Sequence, residues 1–421
     1  MKMDTSHYKR MTCRLCDESR LNLIVPFGAS PIGGAFVTKE SFGNPQELYQ
    51  LDLYQCHACG HVQLLDVVSP NLLFGDYSYF SGRTGLVKHF AQYADSVMAR
   101  EDLLAGSFVV DVGSNDGAFL KFFRDKGMRV LGVDPATNVA EFANALGIET
   151  LPLMFDMAVA SRIRSEYGPA DIITANNVFA HTDDMQGMLD SVRNILSDEG
   201  LFYFEVSYLV DVIDKMLLGA IFHEHLCYHT VKSLALFLKR HDMELIDVER
   251  VPIQGGSLIC IVQHLGGKRK VASSVEELID LEESRGVYQE GFFRPFCEQL
   301  DRVKSVLQSL IADISVRSER IAAYGAARGG TFITYLFELG HHIEYIVDDD
   351  PSKYGLFSPG FHIPVLPVGT LYERQPDYVI ILAWVHSKSI IEKNHKYLEL
   401  GGKFIIFFPS IKVVDKQTPE R

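Results

Sequence analysis

Four cysteines in two short pairs constrain this chain more than any other feature. Cys13 and Cys16 form the first pair, and Cys56 and Cys59 form the second after a long insert. Two C-x-x-C turns supply four thiolates, which is the donor set of a closed tetrahedral zinc site. Sulfur takes all four places and leaves none for water, so we expect a structural zinc and not a hydrolytic one. The alternative is a set of reduced thiols.

Composition narrows the function classes. The chain has 421 residues, 47% of them hydrophobic, and a formal net charge of -14. An acidic balance argues against nonspecific binding to nucleic acid or to an anionic membrane surface. No apolar run reaches the roughly 18 residues of a membrane span, and no secretory leader is evident. We therefore expect a cytoplasmic protein that binds neither nucleic acid nor membrane, and we favour a monomer.

Short apolar runs alternate with amphipathic stretches through the middle of the chain. This rhythm predicts an α/β fold with a Rossmann-like sheet, and a charged helical connector over 274–317 that is interrupted at Pro295. A second α/β block of the same kind begins at Arg320. Predicted strands cover 107–112, 129–133, 170–175, 200–206, 321–324, 343–347, 378–384 and 403–408. We predict three domains: a zinc-binding domain at 1–70, a Rossmann-like domain with the helical connector at 71–312, and a C-terminal Rossmann-like domain at 313–421.

A glycine-rich turn follows the first strand of the middle block. Asp111, Gly113, Asn115 and Gly117 lie in a D-x-G-x-x-x-G pattern that can close around a ligand at a helix N-terminus. Asp134 ends the next strand, where an acid can accept both hydroxyls of a ribose. The turn lacks the G-x-G-x-x-G form and contains an acid suited to an ammonium group, so it favours S-adenosylmethionine over a dinucleotide. The alternative is a tight turn without a ligand.

Polar residues after later strands are expected at the same edge of the sheet. Asn176 and Asn177 end one strand, and His181 follows them closely. The segment His223-Glu224-His225 is too tight for the H-E-x-x-H zinc helix, so we expect it to present Glu224 and His225 from a loop or helix start. An imidazole titrates near neutral pH and could remove a proton from carbon beside a ketone. The alternative is that these histidines only pack or lie at the surface.

Taken together, these motifs resemble the nucleotide-sugar C-methyltransferases, the family of the tetronitrose-type sugar C-3 methyltransferase, along nearly the whole chain. The likeness rests on the cysteine pairs, the glycine turn, the N-N-V-F-A-H segment and the H-E-H segment. Further matching segments are 77–82, 254–257, 324–329 and 348–364.

The resemblance implies that S-adenosylmethionine and a nucleotide-diphosphate-linked 4-keto-hexose bind, and that an enolate formed at C-3 attacks the methyl group. It implies His225 as the base with Glu224 as its partner, and His181, Tyr77 and Tyr79 as groups that hold the sugar and the enolate oxygen. Positions matching donor contacts are Asp111, Gly113, Asn115, Gly117, Asp134, Asn176, Asn177 and Ser81. Positions matching substrate contacts are Gly256, Ser257, Arg328 and Phe222.

Two positions depart from the family pattern. Phe222 stands where the family usually has tyrosine, and Val385 follows Trp384 where asparagine is usual. Loss of a hydroxyl near the enolate puts the substrate and the methylated carbon in question. The alternatives are therefore enolisation of a keto-sugar without methyl transfer, and a binding module without catalysis.

Overall fold

The computed structural model describes residues 6–74, 80–83, 85–408 and 410–417. The chain forms two compact units. The first unit contains the residues up to Asn22, Tyr54–Asp211 and Glu224–Gln289, and the second contains Leu23–Leu53, Val212–His223 and the residues from Glu290 onward.

A seven-stranded sheet forms the core of the first unit. Its strands are, in spatial order, Thr150–Leu151, Arg129–Val133, Phe108–Val112, Ala170–Asn176, Leu196–Ser207, Ser257–His264 and Met243–Val251. The first five are parallel, and Ser257–His264 is antiparallel to both of its neighbours. All five residues of Phe108–Val112 are buried, as expected for a central parallel strand with helices on both faces.

Helices of the first unit flank this sheet. They are Val87–Arg100, Leu120–Arg124, Thr137–Ala145, Met157–Tyr167, Met185–Ile195, Val231–Arg240 and Ser273–Ser284, with Pro70–Phe74 before them. Met185–Ile195 shows why such segments are helical. The Asp184 side chain caps the helix by accepting from the Gly187 N–H at 2.9 Å, and Met188, Leu189 and Val192 recur on one buried face.

Short strands build the cysteine-rich region. They are His7–Lys9, Leu21–Val25, Leu53–Cys56, Val62–Leu64 and Asp66–Val68. Val62–Leu64 also pairs antiparallel with Cys227–Tyr228, which follows the H-E-H segment directly. The cysteine-rich region and that segment are thus hydrogen-bonded to each other within the first unit.

The second unit has a six-stranded sheet of Rossmann order. Its strands are Val365–Pro367, Ile346–Asp348, Ile321–Tyr324, Tyr378–Ile381, Lys403–Ile406 and Lys412–Val414. All neighbouring pairs are parallel except the last. Its helices are Arg294–Val316, Arg328–Leu336, Thr370–Arg374, Ser387–Lys393 and His395–Glu399. A separate two-stranded sheet of this unit pairs Ala29–Ser30 with Tyr49–Gln50. The remaining helix, Leu209–Asp214, spans the boundary between the units.

The α/β prediction is confirmed, with differences in detail. The helical connector is two helices, and Pro295 lies in the first turn of the second one, where its missing N–H costs no hydrogen bond. The helix after the glycine turn is short, Leu120–Arg124, because the turn itself takes up the preceding residues. Among the described residues, no helix combines the length and apolarity needed to cross a membrane.

Candidate functional site: a glycine turn and a histidine pair

The four predicted zinc ligands lie together. The sulfur atoms of Cys13, Cys16, Cys56 and Cys59 all lie within 4.8 Å of one another. The Cys13–Cys59 and Cys16–Cys56 sulfur distances are 3.6 and 3.5 Å, near the roughly 3.8 Å edge of a tetrahedron with Zn–S bonds of about 2.3 Å. None of the four is in a disulfide. The donor set therefore fits a structural zinc ion.

Left-handed backbone shapes the turn that we call the donor turn, residues 113–117. Gly113, Asn115 and Gly117 have φ values of 71°, 51° and 74°. The Gly113 N–H donates to the Val133 carbonyl at 2.7 Å, which fixes the turn to the neighbouring strand. A Cβ on Gly113 would lie 2.3 Å from Cγ2 of Val178, so only glycine fits.

Asp134 fixes the other side of the donor turn. One carboxylate oxygen accepts from the Asn115 N–H and the other from the Ala136 N–H, both at 2.9 Å. Burial raises the pKa of Asp134. Each oxygen keeps a further lone pair, so this carboxylate can still accept hydroxyl groups of a ribose.

Asp111 lies deeper, at the end of the central strand. Its Oδ1 accepts from the Thr174 hydroxyl at 2.6 Å. Burial, reinforced by the charge of Asp134, raises the pKa of Asp111 to about 7, although the hydroxyl bond opposes this. A cationic group beside Asp111 would restore its charged form.

Several buried polar atoms near the donor turn lack a hydrogen-bond partner among the described residues. Neither amide atom of Asn176 nor the Ser114 hydroxyl has a hydrogen bond within the described part of the chain, although all three are buried. Ser81 donates its N–H to the Asn115 amide oxygen at 2.8 Å, which brings residue 81 to the turn. Because buried polar groups are normally paired, these atoms indicate a polar ligand here. The residues fit S-adenosylmethionine.

Two residues that the sequence did not single out lie at the same edge of the sheet. Glu205 is almost fully buried; one carboxylate oxygen lies 2.6 Å from His89 Nε2, and the other has no partner among the described atoms. Its backbone carbonyl accepts from the Asn177 N–H at 2.8 Å. The signal was present, because Glu205 is the one charge in the apolar run 201–206.

The histidine pair consists of His181 and His225. Their ring centroids lie 4.9 Å apart, with 58° between the ring planes. Glu224 is buried, with an oxygen 3.9 Å from His181 Nδ1, whereas both imidazoles are partly exposed. A buried carboxylate beside two accessible imidazoles is an arrangement suited to moving protons.

One loop joins the donor turn to the histidine pair. Val178 lies against Gly113, and its carbonyl accepts from the His181 N–H at 2.9 Å. Asn177, with φ of 58°, makes the sharp exit from the strand that this loop needs. The contact with the donor turn at Val178 and the imidazole of His181 are therefore three residues apart along one segment.

The structure separates the two histidines of the H-E-H segment. The segment is a loop, as predicted. His223 is buried within the second unit, where its Nε2 lies 3.2 Å from the Tyr49 carbonyl. His225 belongs to the first unit and lies beside His181.

The predicted substrate positions fall in different places. Ser257 is fully buried, and its hydroxyl donates to the Ile253 carbonyl. Gly256 lies against Asp211, whose carboxyl carbon would be 2.4 Å from a Cβ at residue 256. Phe222 and Arg328 belong to the second unit. Tyr77 and Tyr79 lie outside the described residues.

The second unit repeats the geometry of the donor turn. Gly325 donates its N–H to the Val347 carbonyl at 2.9 Å, and the Ala326 N–H donates to Asp348 at 2.6 Å. Lys353 is an ion-pair partner of Asp348 at 3.4 Å. Arg328 begins the helix that follows this turn.

Three domain families match successive parts of the chain. Residues 13–74 match the family described as "Putative zinc binding domain", residues 87–248 match "Methyltransferase domain", and residues 252–409 match "C-methyltransferase C-terminal domain". Together with the sheet order and the donor turn, these matches define a methyltransferase that uses S-adenosylmethionine and carries a zinc-binding region.

A characterised relative narrows this class. C-methyltransferase NovU of Streptomyces niveus is 32% identical over 408 residues, which cover 96% of this chain and 97% of NovU. This chain belongs to the C-methyltransferase family.

Two solved methyltransferase structures each match less than half of the chain. Plantazolicin methyltransferase BpumL with SAH is 14% identical, with a TM-score of 0.36 over 43% of this chain and 86% of its own. A methyltransferase from Anabaena variabilis is 17% identical, with a TM-score of 0.33 over 45% of this chain and 99% of its own.

Proposed function

We propose that this enzyme methylates C-3 of a nucleotide-linked 4-keto-deoxyhexose, with His225 as the base. The observation that carries the proposal is the loop from Val178 to His181, which contacts the donor turn at one end and His225 at the other. A carbon acid needs a base and an electrophile close together. This loop contacts both the residues proposed to hold the methyl donor and the proposed base, and so supports that arrangement.

The chemistry follows from the poor nucleophilicity of carbon. A ketone at C-4 makes the C-3 hydrogen acidic; His225 takes that proton, and the electron pair moves toward the ketone oxygen. Donors at the resulting enolate oxygen lower the barrier, a role we assign to His181. The bound donor supplies an electrophilic methyl group on sulfur. The new C–C bond forms as the S–CH3 bond breaks.

Glu224 completes this assignment. Its burial next to His181 favours a positively charged neighbour, because an isolated buried carboxylate is costly. The carboxylate would thus stabilise an imidazolium in the pair after proton transfer. We assign Asp111, Asp134, Asn115 and Asn176 to the methyl donor.

The substrate class rests on the family together with the second unit. C-Methylation requires an acidified carbon, and the second glycine turn, with Asp348 bound to its backbone, is typical of a nucleotide site. We propose that the second unit holds the nucleotide diphosphate, with Arg328 as one of its contacts. The three-domain division at 1–70, 71–312 and 313–421 is likewise proposed.

The test is methyl transfer from labelled S-adenosylmethionine to a panel of 4-keto-sugar nucleotides and their reduced 4-hydroxy counterparts. Methylation of a keto-sugar and none of its 4-hydroxy counterpart is expected. Exchange of the C-3 hydrogen with D2O without methyl incorporation would favour enolisation alone. A panel that is neither methylated nor exchanged would contradict the proposal.

Phe222 offers a check on specificity. Phe222→Tyr restores the hydroxyl that the nucleotide-sugar C-methyltransferases usually have at this position. We expect it to change the order of methylation rates among the keto-sugars of the same panel. Leu217→Met, a swap of similar volume at a buried position of the same unit, is the control.

A further inference from the structure

Arg14 is a buried charge inside the first cysteine pair. It lies between Cys13 and Cys16, and its side chain is fully buried. Taking a guanidinium out of water costs free energy unless well-placed acceptors surround it. The burial of Arg14 therefore calls for an explanation in terms of its hydrogen-bond partners.

Those partners belong to two separate segments. Arg14 Nε donates to Asp183 Oδ1 at 2.9 Å. Its Nη1 donates to the Leu64 carbonyl at 2.5 Å and to the Gln63 side-chain oxygen at 3.3 Å. A planar guanidinium presents its donors in a fixed fork, so it holds these acceptors in one mutual geometry.

Each segment is connected to one member of the histidine pair, Asp183 along the chain and Leu64 through a hydrogen bond. Asp183 is two residues after His181. The N–H of Leu64 donates to the carbonyl of Leu226 at 2.9 Å, and Leu226 follows His225. Arg14 is thus bonded directly to the segment that carries His181, and through Leu64 it is linked to the segment that carries His225. The two imidazoles lie 4.9 Å apart.

We infer that Arg14 is a positioning residue, which sets the separation of His181 and His225 from within the zinc site. The metal ligands on both sides of Arg14 fix its backbone, and the guanidinium transmits that placement to the two loops. The zinc-binding region then has a role in catalysis although no zinc ligand touches the reacting atoms. The consequence for catalysis depends on the proposed function; the effect on the imidazoles does not.

Asp183 has other partners that permit a matched control. The Tyr8 hydroxyl donates to Asp183 Oδ2, and Arg10 donates to the Asp183 carbonyl at 3.2 Å. Tyr8 has no bond to Leu64 among those the structure describes, so Tyr8→Phe removes one Asp183 contact and leaves the link between the loops intact.

The test compares Arg14→Lys with Tyr8→Phe in the full-length zinc-loaded protein. Lysine keeps the charge but cannot bridge both segments. Arg14→Lys is expected to lower kcat about 10-fold to 100-fold with little change in KM for the sugar nucleotide, as for other losses of positioning. Zinc content and affinity for S-adenosylmethionine should match the wild type. Tyr8→Phe should retain wild-type kcat.

A second readout does not need turnover. With histidine labelled by 13C and 15N, the ring signals of His181 and His225 should move in Arg14→Lys and stay in place in Tyr8→Phe. Should Arg14→Lys not fold, Asp183→Asn, at a partly exposed position, is expected to shift the His181 signals. Unmoved ring signals in a folded, zinc-loaded variant would overturn the inference. Shifted signals in a protein that methylates no keto-sugar would leave the inference standing and defeat the proposed function.

Discussion

The imidazole rings of His181 and His225 lie 4.9 Å apart, centroid to centroid, although 44 residues separate them in the chain. Buried Glu224 lies beside His181, and the loop that carries His181 contacts the donor turn through Val178. The residues that we propose as the base, its acidic partner and the methyl-donor contacts therefore all belong to one unit.

Gly113→Ala should abolish binding of S-adenosylmethionine. The new methyl group would overlap Val178, and φ of 71° is strained for alanine. Gly168→Ala is the matched control, because φ is 90° but nothing lies within 4 Å of the new Cβ. The control should cost about 1 kcal/mol of stability and Gly113→Ala about 1–3 kcal/mol more. Calorimetric titration of both variants measures the effect; retained donor binding in Gly113→Ala would argue against the donor turn.

Donor affinity should depend on the charge of Asp111. Because burial raises its pKa to about 7, affinity for the donor's ammonium group should rise about tenfold per pH unit as pH increases toward 7 and then level off. In the donor-free protein the sign is opposite: charging Asp111 lowers stability as pH rises from about 4 to 7. Asp111→Asn should bind the donor weakly and show a flat pH profile. A sloped profile in that variant would assign the dependence to another group.

Acid should destabilise the protein through His229. Burial lowers the pKa of this histidine to about 4 from the ordinary value of 6.5. Its contribution is fully present above pH 6.5 and is lost as pH falls toward 4, by about 3 kcal/mol. Urea unfolding at several pH values should show this slope reduced in His229→Leu. His395→Gln, at an exposed position, should keep the wild-type slope.

Removal of zinc should unfold the cysteine-rich region. Cys16→Ser is expected to lose the metal and more than about 4 kcal/mol of stability. Cys297→Ser is the control, since that thiol lies outside the cluster and contacts the Ile24 carbonyl. Metal analysis and thermal unfolding measure both. Full zinc content in Cys16→Ser would contradict the four-sulfur site.

Strands with continuous apolar runs were predicted most accurately. Arg129–Val133 and Ile321–Tyr324 have the predicted bounds, because buried parallel strands leave little room for polar residues. The edge strand Met243–Val251 and its neighbour Ser257–His264 were missed. They pair with each other, and Ser257–His264 joins the rest of the sheet by pairing with Leu196–Ser207, a segment distant in the chain.

The residues of the candidate site also differ in whether the sequence could locate them. The cysteine pairs and the glycine turn have fixed local spacing, so the sequence located them. Glu205 and Arg14 act through partners more than 45 residues away, and no local pattern shows such pairing. The different surroundings of His223 and His225 also required the fold.

The most direct test of the account is methyl transfer by His225→Gln, measured with labelled S-adenosylmethionine and the keto-sugar nucleotide accepted by the wild type. The account predicts a loss of about 100-fold to 10,000-fold in kcat, with donor affinity unchanged. His223→Gln, which keeps an amide donor toward the Tyr49 carbonyl, should retain most activity. Undiminished methylation by His225→Gln would contradict the assignment of the base.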